Sequence, residues 1–159
     1  MKPHALSLAF LPLVCALFLS SCETVDKDAP ARAAMAAAIA AEPRGDWFIG
    51  RRMYKEDYKM WGWVREPGMP WKSARLVMMN EQRTLAPDRA GGKLGTDNNH
   101  EYRLRGRFSG DTVYEPASDR FYPEFILESY ELLSANPPSI YVVKRQEDPK
   151  VRIIVPPPH

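Results

Sequence analysis

The two-residue alternation of side chains after residue 45 is the feature that most constrains the fold. It is clearest in residues 102–108, where small or apolar residues alternate with arginines: Tyr102, Leu104, Gly106 and Phe108 on one side, Arg103, Arg105 and Arg107 on the other. Successive side chains of a strand point to opposite faces. The pattern therefore predicts a strand with a core face and a solvated basic face. No apolar pattern of helical period and convincing length follows residue 45.

Short segments of this kind, bounded by Gly, Pro or Asp, recur along the chain at residues 47–54, 58–65, 74–81, 101–108, 112–115, 121–133, 140–144 and 152–155. Their lengths and spacing predict a mainly β fold. We expect a small antiparallel β-barrel or sandwich, with an OB-type barrel as one form. Residues 121–133 could instead form a helix that begins after Pro123, but their aromatic residues favour a strand.

Two hairpins are predicted. Gly110-Asp111 would form a two-residue turn that pairs Phe108 with Val113. A turn at Glu56-Asp57 would pair Ile49 with Val64. Because Glu-Asp is a poor tight-turn pair, the register of this second hairpin is open by one residue.

In the second hairpin, one face would carry aromatic and cationic side chains together. We take four of them as candidate binding residues: Arg52, Lys59, Trp61 and Trp63. Exposed apolar surface often marks a binding surface, and such a combination can stack on sugar rings, pack a protein partner or hold anionic groups. The alternative is that the tryptophans are core residues, covered by the N-terminal segment or by the polar, glycine-rich loop 82–100.

The segment 22–45 is dominated by alanine, the best helix former, between Asp26 and Glu42. Asp28 can cap a helix, Pro30 suits a first helical turn, and Pro43 ends the pattern. An alanine-rich helix this short is marginal alone in water. We therefore expect a partly helical tether, with a helix docked on the core as the alternative.

The N-terminus has the layout of a secretory signal. Lys2 precedes residues 5–19, which are apolar, uncharged and too short to span a bilayer. The run ends in Leu19-Ser20-Ser21-Cys22. This sequence resembles the lipobox of bacterial lipoprotein precursors, in which an aliphatic residue and two small residues precede the lipid-modified cysteine. The resemblance implies a diacylglycerol on the Cys22 thiol, cleavage before Cys22 and acylation of the new amino group.

Three segments follow from this interpretation: a signal peptide at 1–21, a lipidated tether at 22–45 and a β domain at 46–159. The other cysteine, Cys15, lies in the leader, so the mature chain would form no internal disulfide. Glu23 is not the aspartate that retains well-studied enterobacterial lipoproteins at the inner membrane. We therefore expect an outer-membrane location facing the periplasm, with the membrane as a partner through Cys22.

Few residues point to catalysis or cofactor binding. His100 and His159 lack ligand-spaced partners, so no metal or cofactor is expected. Three acids offer the carboxylate pair of a wall-acting enzyme: Glu115, Glu124 and Glu128. In residues 113–125, Tyr114 and Tyr122 are either packing residues beside a turn or residues that line a ligand. A nearly neutral mature chain, exported from the cytoplasm, favours a binding or scaffold module for envelope glycan, lipid or protein over a nucleic-acid binder.

The lipid anchor is directly testable. The substitution Cys22→Ala removes the thiol that carries the lipid, so it should abolish acylation and membrane retention. Mass spectrometry of the protein from bacterial membranes should find a mature N-terminus at Cys22 bearing acyl chains. An unmodified thiol, or cleavage elsewhere, would contradict the assignment.

Overall fold

The computed structural model describes residues 27–58, 61–142, 144–152 and 158, without the side chains of Trp61 and Lys144. The predicted signal peptide, Cys22 and Lys59 lie outside the described residues. So does most of the strand predicted at 152–155.

Five strands close into a barrel: β1 (Phe48–Met53), β2 (Trp61–Arg65), β3 (Arg75–Asn80), β4 (Glu101–Glu115) and β5 (Arg120–Ser134). Their order is β1-β2-β3-β5-β4, and β4 pairs with β1 to close the sheet. The predicted mainly β barrel is thus confirmed, and the strand order is that of an OB-type barrel. The barrel is not wholly antiparallel, because β3 and β5 run parallel.

The helical segments are short. They are α1 (Ala29–Ala40), α2 (Pro87–Ala90) and two 3-10 turns at Trp71–Ser73 and Lys144–Glu147. Among the described residues, no helix is long and apolar enough to cross a membrane. The strand predicted at 140–144 does not form. Residues 141 and 142 make a bend, and the second 3-10 turn begins at Lys144.

Strands β4 and β5 form one long hairpin of 15 residues each. The turn predicted at Gly110-Asp111 is wrong, since the strand continues through these residues as a bulge between Phe108 and Thr112. Gly110 does adopt a positive φ of 94°. The chain reverses instead at residues 116–119, and Thr112–Glu115 pairs only with 120–123. We call residues 112–123 the arm.

The interior of the barrel is a compact apolar cluster: Val64, Val77, Tyr102, Leu104, Phe125 and Leu127. Tyr102 and Leu104 come from the predicted core face of β4, while Arg105 and Arg107 are exposed. Phe48, Phe108 and Phe125 meet edge to face, with ring centroids 5.2–5.7 Å apart. The predicted strand in residues 121–133 is confirmed, since Phe125 and Leu127 point inward together.

A second apolar cluster covers the outer face of β1 and β2, and α1 is part of it. Ile39 is buried there with Trp71, and Met35 packs against it. Glu42, just after α1, accepts two 2.6 Å hydrogen bonds from Arg65 and one of 2.8 Å from the Gly68 N–H. The helix begins after Asp28 as predicted. It is docked rather than a free spacer, because two large side chains and an ion pair hold it on the barrel.

The register of β1 and β2 differs by one residue from the predicted one. Ile49 pairs with Arg65 rather than with Val64, and Met53 pairs with Trp61. A shift of one residue moves every side chain of one strand to the other face. The predicted aromatic and cationic face is therefore not assembled as expected.

Two glycines of β4 give a matched test of the close approach between β4 and β5. Both have a positive φ, 154° at Gly106 and 94° at Gly110. A Cβ at Gly106 would lie 2.2 Å from the Ile126 carbonyl oxygen, whereas one at Gly110 would meet no atom within 4 Å. Gly106→Ala should therefore lower the free energy of unfolding by about 2–4 kcal/mol. Gly110→Ala should lower it by only about 1–2 kcal/mol, the cost of a positive φ. Urea unfolding measures both, and equal losses would contradict the close approach at Gly106.

Candidate functional site

Trp63, one of the four predicted binding residues, lies in the core. Its side chain is buried in the outer cluster. Its indole N–H donates a 2.6 Å hydrogen bond to the Tyr141 hydroxyl, which contacts the Met53 sulfur at 3.3 Å. Burial raises the pKa of Tyr141, so the hydroxyl stays neutral. The alternative that this tryptophan is core is correct. Helix α1 and the segment around Tyr141 cover it, rather than the loop 82–100.

Arg52 lies on the opposite face of the sheet from Trp63 and is also buried. Its guanidinium group forms two ion pairs, at 2.9 Å with Asp97 and at 3.0 Å with Asp88. Arg52 and Trp63 therefore do not form one exposed surface, and the predicted pairing of these two residues is wrong. The side chains of Lys59 and Trp61 lie outside the described part of the chain, so a binding role for them stays a prediction.

The loop between β3 and β4 is organised around these buried acids. Asp88, in α2, accepts hydrogen bonds from the backbone N–H groups of Arg89 and Gly95, both at 2.9 Å. Burial, together with the nearby charge of Asp88, raises the pKa of Asp97, although Arg52 opposes this. The glycine-rich loop thus joins the barrel through an ion-pair network.

Trp71 is the centre of a second buried charged group, on the outer face. The guanidinium carbons of Arg65 and Arg51 lie 4.6 and 5.1 Å from its ring centroid. Arg51 also bonds Glu101 at 2.5 Å, and Arg65 bonds Glu42. Burial alone would raise the pKa of Glu42, but the hydrogen bonds from Arg65 and Gly68 hold it below its usual value. Both arginines are therefore part of the fold rather than of an open surface.

The arm carries the aromatic pair that remains open to solvent. Tyr114 and Phe121 face each other across the hairpin, are 48% and 67% exposed, and have ring centroids 5.2 Å apart. By strand alternation the next pair, Val113 and Tyr122, lies on the opposite face. Tyr122 is buried there, so it cannot line an open ligand site.

The turn at the end of the arm holds the pair in place. Buried Glu115 accepts hydrogen bonds from the N–H groups of Ala117 and Ser118, at 2.9 and 2.6 Å. The Tyr114 hydroxyl donates to Asp119 at 2.9 Å, and this bond raises the pKa of Tyr114. The aromatic pair therefore stands on a turn braced by side chains. Sequence reasoning identified Tyr114 but missed Phe121, whose partner is visible only once the hairpin register is known.

The three acids considered for catalysis have separate partners. Glu115 braces the turn, Glu124 bonds the Asn80 amide at 2.8 Å, and Glu128 lies 3.5 Å from Arg83. Within the described residues, no group of three or more His, Cys, Asp or Glu side chains is placed to hold a metal ion. The site that the structure presents is thus a surface for contact, built from two exposed rings.

Comparison with known protein families, curated proteins and solved structures found no match to this chain.

The Arg52 network predicts a pH-dependent stability defect. Arg52→Met leaves the carboxylates of Asp88 and Asp97 buried without their cation. The free energy of unfolding should therefore fall by about 3–5 kcal/mol at neutral pH. Protonation of Asp97 removes an unpaired charge, so the variant should recover part of the loss at mildly acidic pH.

The raised pKa of Asp97 agrees with the expected recovery of stability at lower pH. Its pKa is raised by burial in the folded protein, so its contribution to stability falls as pH rises through the range just above an ordinary aspartate pKa. Urea unfolding at the two pH values tests the network, with Arg83→Met, an exposed arginine, as control. A loss for Arg52→Met that is independent of pH would contradict it.

Proposed function

We propose that the protein is a lipid-anchored binding module of the bacterial cell envelope. Cys22 holds it in the outer membrane, facing the periplasm, and the arm binds envelope glycan through Tyr114 and Phe121. The observation that carries the proposal is the exposure of these two rings beside each other on a braced turn. Large apolar groups exposed together on a soluble domain commonly mark a binding surface.

The chemistry of the pair favours a sugar ligand. Aromatic rings offer broad apolar faces at little cost in conformational entropy, and a tyrosine adds a polar tip. Here Asp119 accepts the Tyr114 hydrogen bond and is itself exposed. Its second carboxylate oxygen is available to accept a bond from a sugar hydroxyl. Apolar ring faces beside a hydroxyl and a carboxylate match a pyranose ring, which has apolar C–H faces and polar edges.

The position of the arm in the barrel supports the same proposal by analogy of fold. OB-type barrels bind oligosaccharides and oligonucleotides with the face of β2 and β3 and with the loops that join β1 to β2 and β4 to β5. In this chain the outer face of β2 is covered by α1 and Trp71. Among the described residues of that surface, the β4–β5 arm presents two exposed aromatic rings. An exported protein meets glycan rather than nucleic acid, so glycan is the ligand proposed.

Retention on purified cell wall and on lipopolysaccharide tests the proposal. The double substitution Tyr114→Ala/Phe121→Ala should weaken retention about tenfold or more, since each stacked ring contributes about 1 kcal/mol. Its melting temperature should stay within a few degrees of the wild type, because both rings are exposed.

The matched control is Leu85→Ala/Leu94→Ala, which removes two side chains of similar exposure from the loop between β3 and β4. Its retention should equal that of the wild type. If both double variants bind as the wild type does, the arm is not the binding surface. If the arm variant unfolds, the rings are structural and the proposal is wrong.

A further inference from the structure

An apolar groove runs along α1, on the side that faces residues 68–71. Its volume is about 430 Å³, and it is lined mainly by Met35, Ala36, Ile39, Ala40, Pro70 and Trp71. Met35, Ala36, Ile39 and Ala40 recur at the three- and four-residue spacing of one helix face. The groove therefore follows the axis of the helix rather than crossing it.

The groove exists because the helix packs with very small side chains. Ala36 and Ala40 leave space that larger residues would fill. Trp71 forms a fixed wall, since it is 1% exposed and held between Arg51 and Arg65. The space is thus formed by groups that are already locked in place.

The position of α1 in the chain identifies an occupant. Helix α1 begins at Ala29, seven residues after Cys22. Seven residues reach at most about 25 Å, whereas a 12-residue helix is about 18 Å long. A lipid on Cys22 is therefore tethered within about 25 Å of the first residue of the helix that carries the groove. The tether raises the effective concentration of this lipid at the groove.

The volume suits one acyl chain. The groove is open along one side, and its volume of about 430 Å³ gives room for a large part of one acyl chain. Burial of methylenes in an apolar groove is favourable. We propose that the groove along α1 binds one of the acyl chains attached to Cys22, while the remaining chains stay in the bilayer. This inference rests on the lipid anchor of the proposed function and is independent of the glycan site.

Photocrosslinking of the full chain in cells tests the inference. Bacteria that express the protein are fed a palmitate analogue with a diazirine near its end and irradiated before extraction, so that detergent cannot empty the groove. Mass spectrometry then reads two quantities separately: acylation of Cys22, and the residues joined to its acyl chain. We expect intramolecular crosslinks to Met35, Ile39 or Trp71.

Two substitutions on α1 provide the comparison. Ala36→Trp fills the groove, whereas Ala34→Trp places the same side chain on the opposite side of the helix. Ala36→Trp should reduce the groove crosslinks about tenfold at unchanged acylation, since it displaces several methylenes. Ala34→Trp should leave them unchanged. Ala40→Leu, a smaller filling, provides a second variant if Ala36→Trp lowers the melting temperature.

The outcomes separate the inference from the proposed function. An acylated Cys22 with crosslinks only to phospholipid, to another protein or to a second copy would overturn the groove assignment and leave the anchor intact. Groove crosslinks that persist in both filled variants would also overturn it. An unacylated Cys22 would overturn the anchor, and the inference with it, whereas the glycan assay would still stand.

Discussion

The contact of Trp71 with Arg51 and Arg65 is the interaction on which the packing against the outer face of β1 and β2 depends. Each cation–π contact contributes about 0.5–2 kcal/mol, and the contacts also decide how two buried charges are tolerated. Burial lowers the pKa of Arg51, and the hydrogen bond to Glu101 opposes this lowering. Arg65 is neutralised by Glu42, which follows α1. The charges of the sheet therefore fix the position of the helix, and the helix closes the sheet to solvent.

Helix α1 covers the outer face of β1 and β2, and this limits where a ligand can bind. A barrel that uses the outer side of β1 and β2 to hold α1 and Tyr141 cannot offer Trp63 to a ligand. We therefore assign recognition to the arm, in which β4 and β5 pair with each other beyond the part of β5 that pairs with β3. The same helix that covers the sheet also creates an apolar groove beside the proposed lipid.

Features of the fold that depend on neighbouring residues could be predicted from the sequence. The arginine alternation in β4, the strand of residues 121–133 and the helix after Asp28 were all readable from the sequence. The turn was misplaced because Gly110-Asp111 fits a tight hairpin as well as it fits a bulge, and only the pairing of Phe108 with Phe125 distinguishes them. The burial of Trp63 was not decidable locally. It depends on Ile39 and Tyr141, which are remote in sequence.

We propose that the arm, and not the predicted aromatic and cationic face of the β1–β2 hairpin, contacts the ligand. Nuclear magnetic resonance tests it directly, by titrating the isotope-labelled protein with soluble fragments of wall glycan. We expect chemical-shift changes for the backbone amides of residues 112–115 and 120–123. The signal of the Trp63 indole N–H, which is bonded to Tyr141, should not change. A shift of that indole signal, with the arm amides unchanged, would contradict the account.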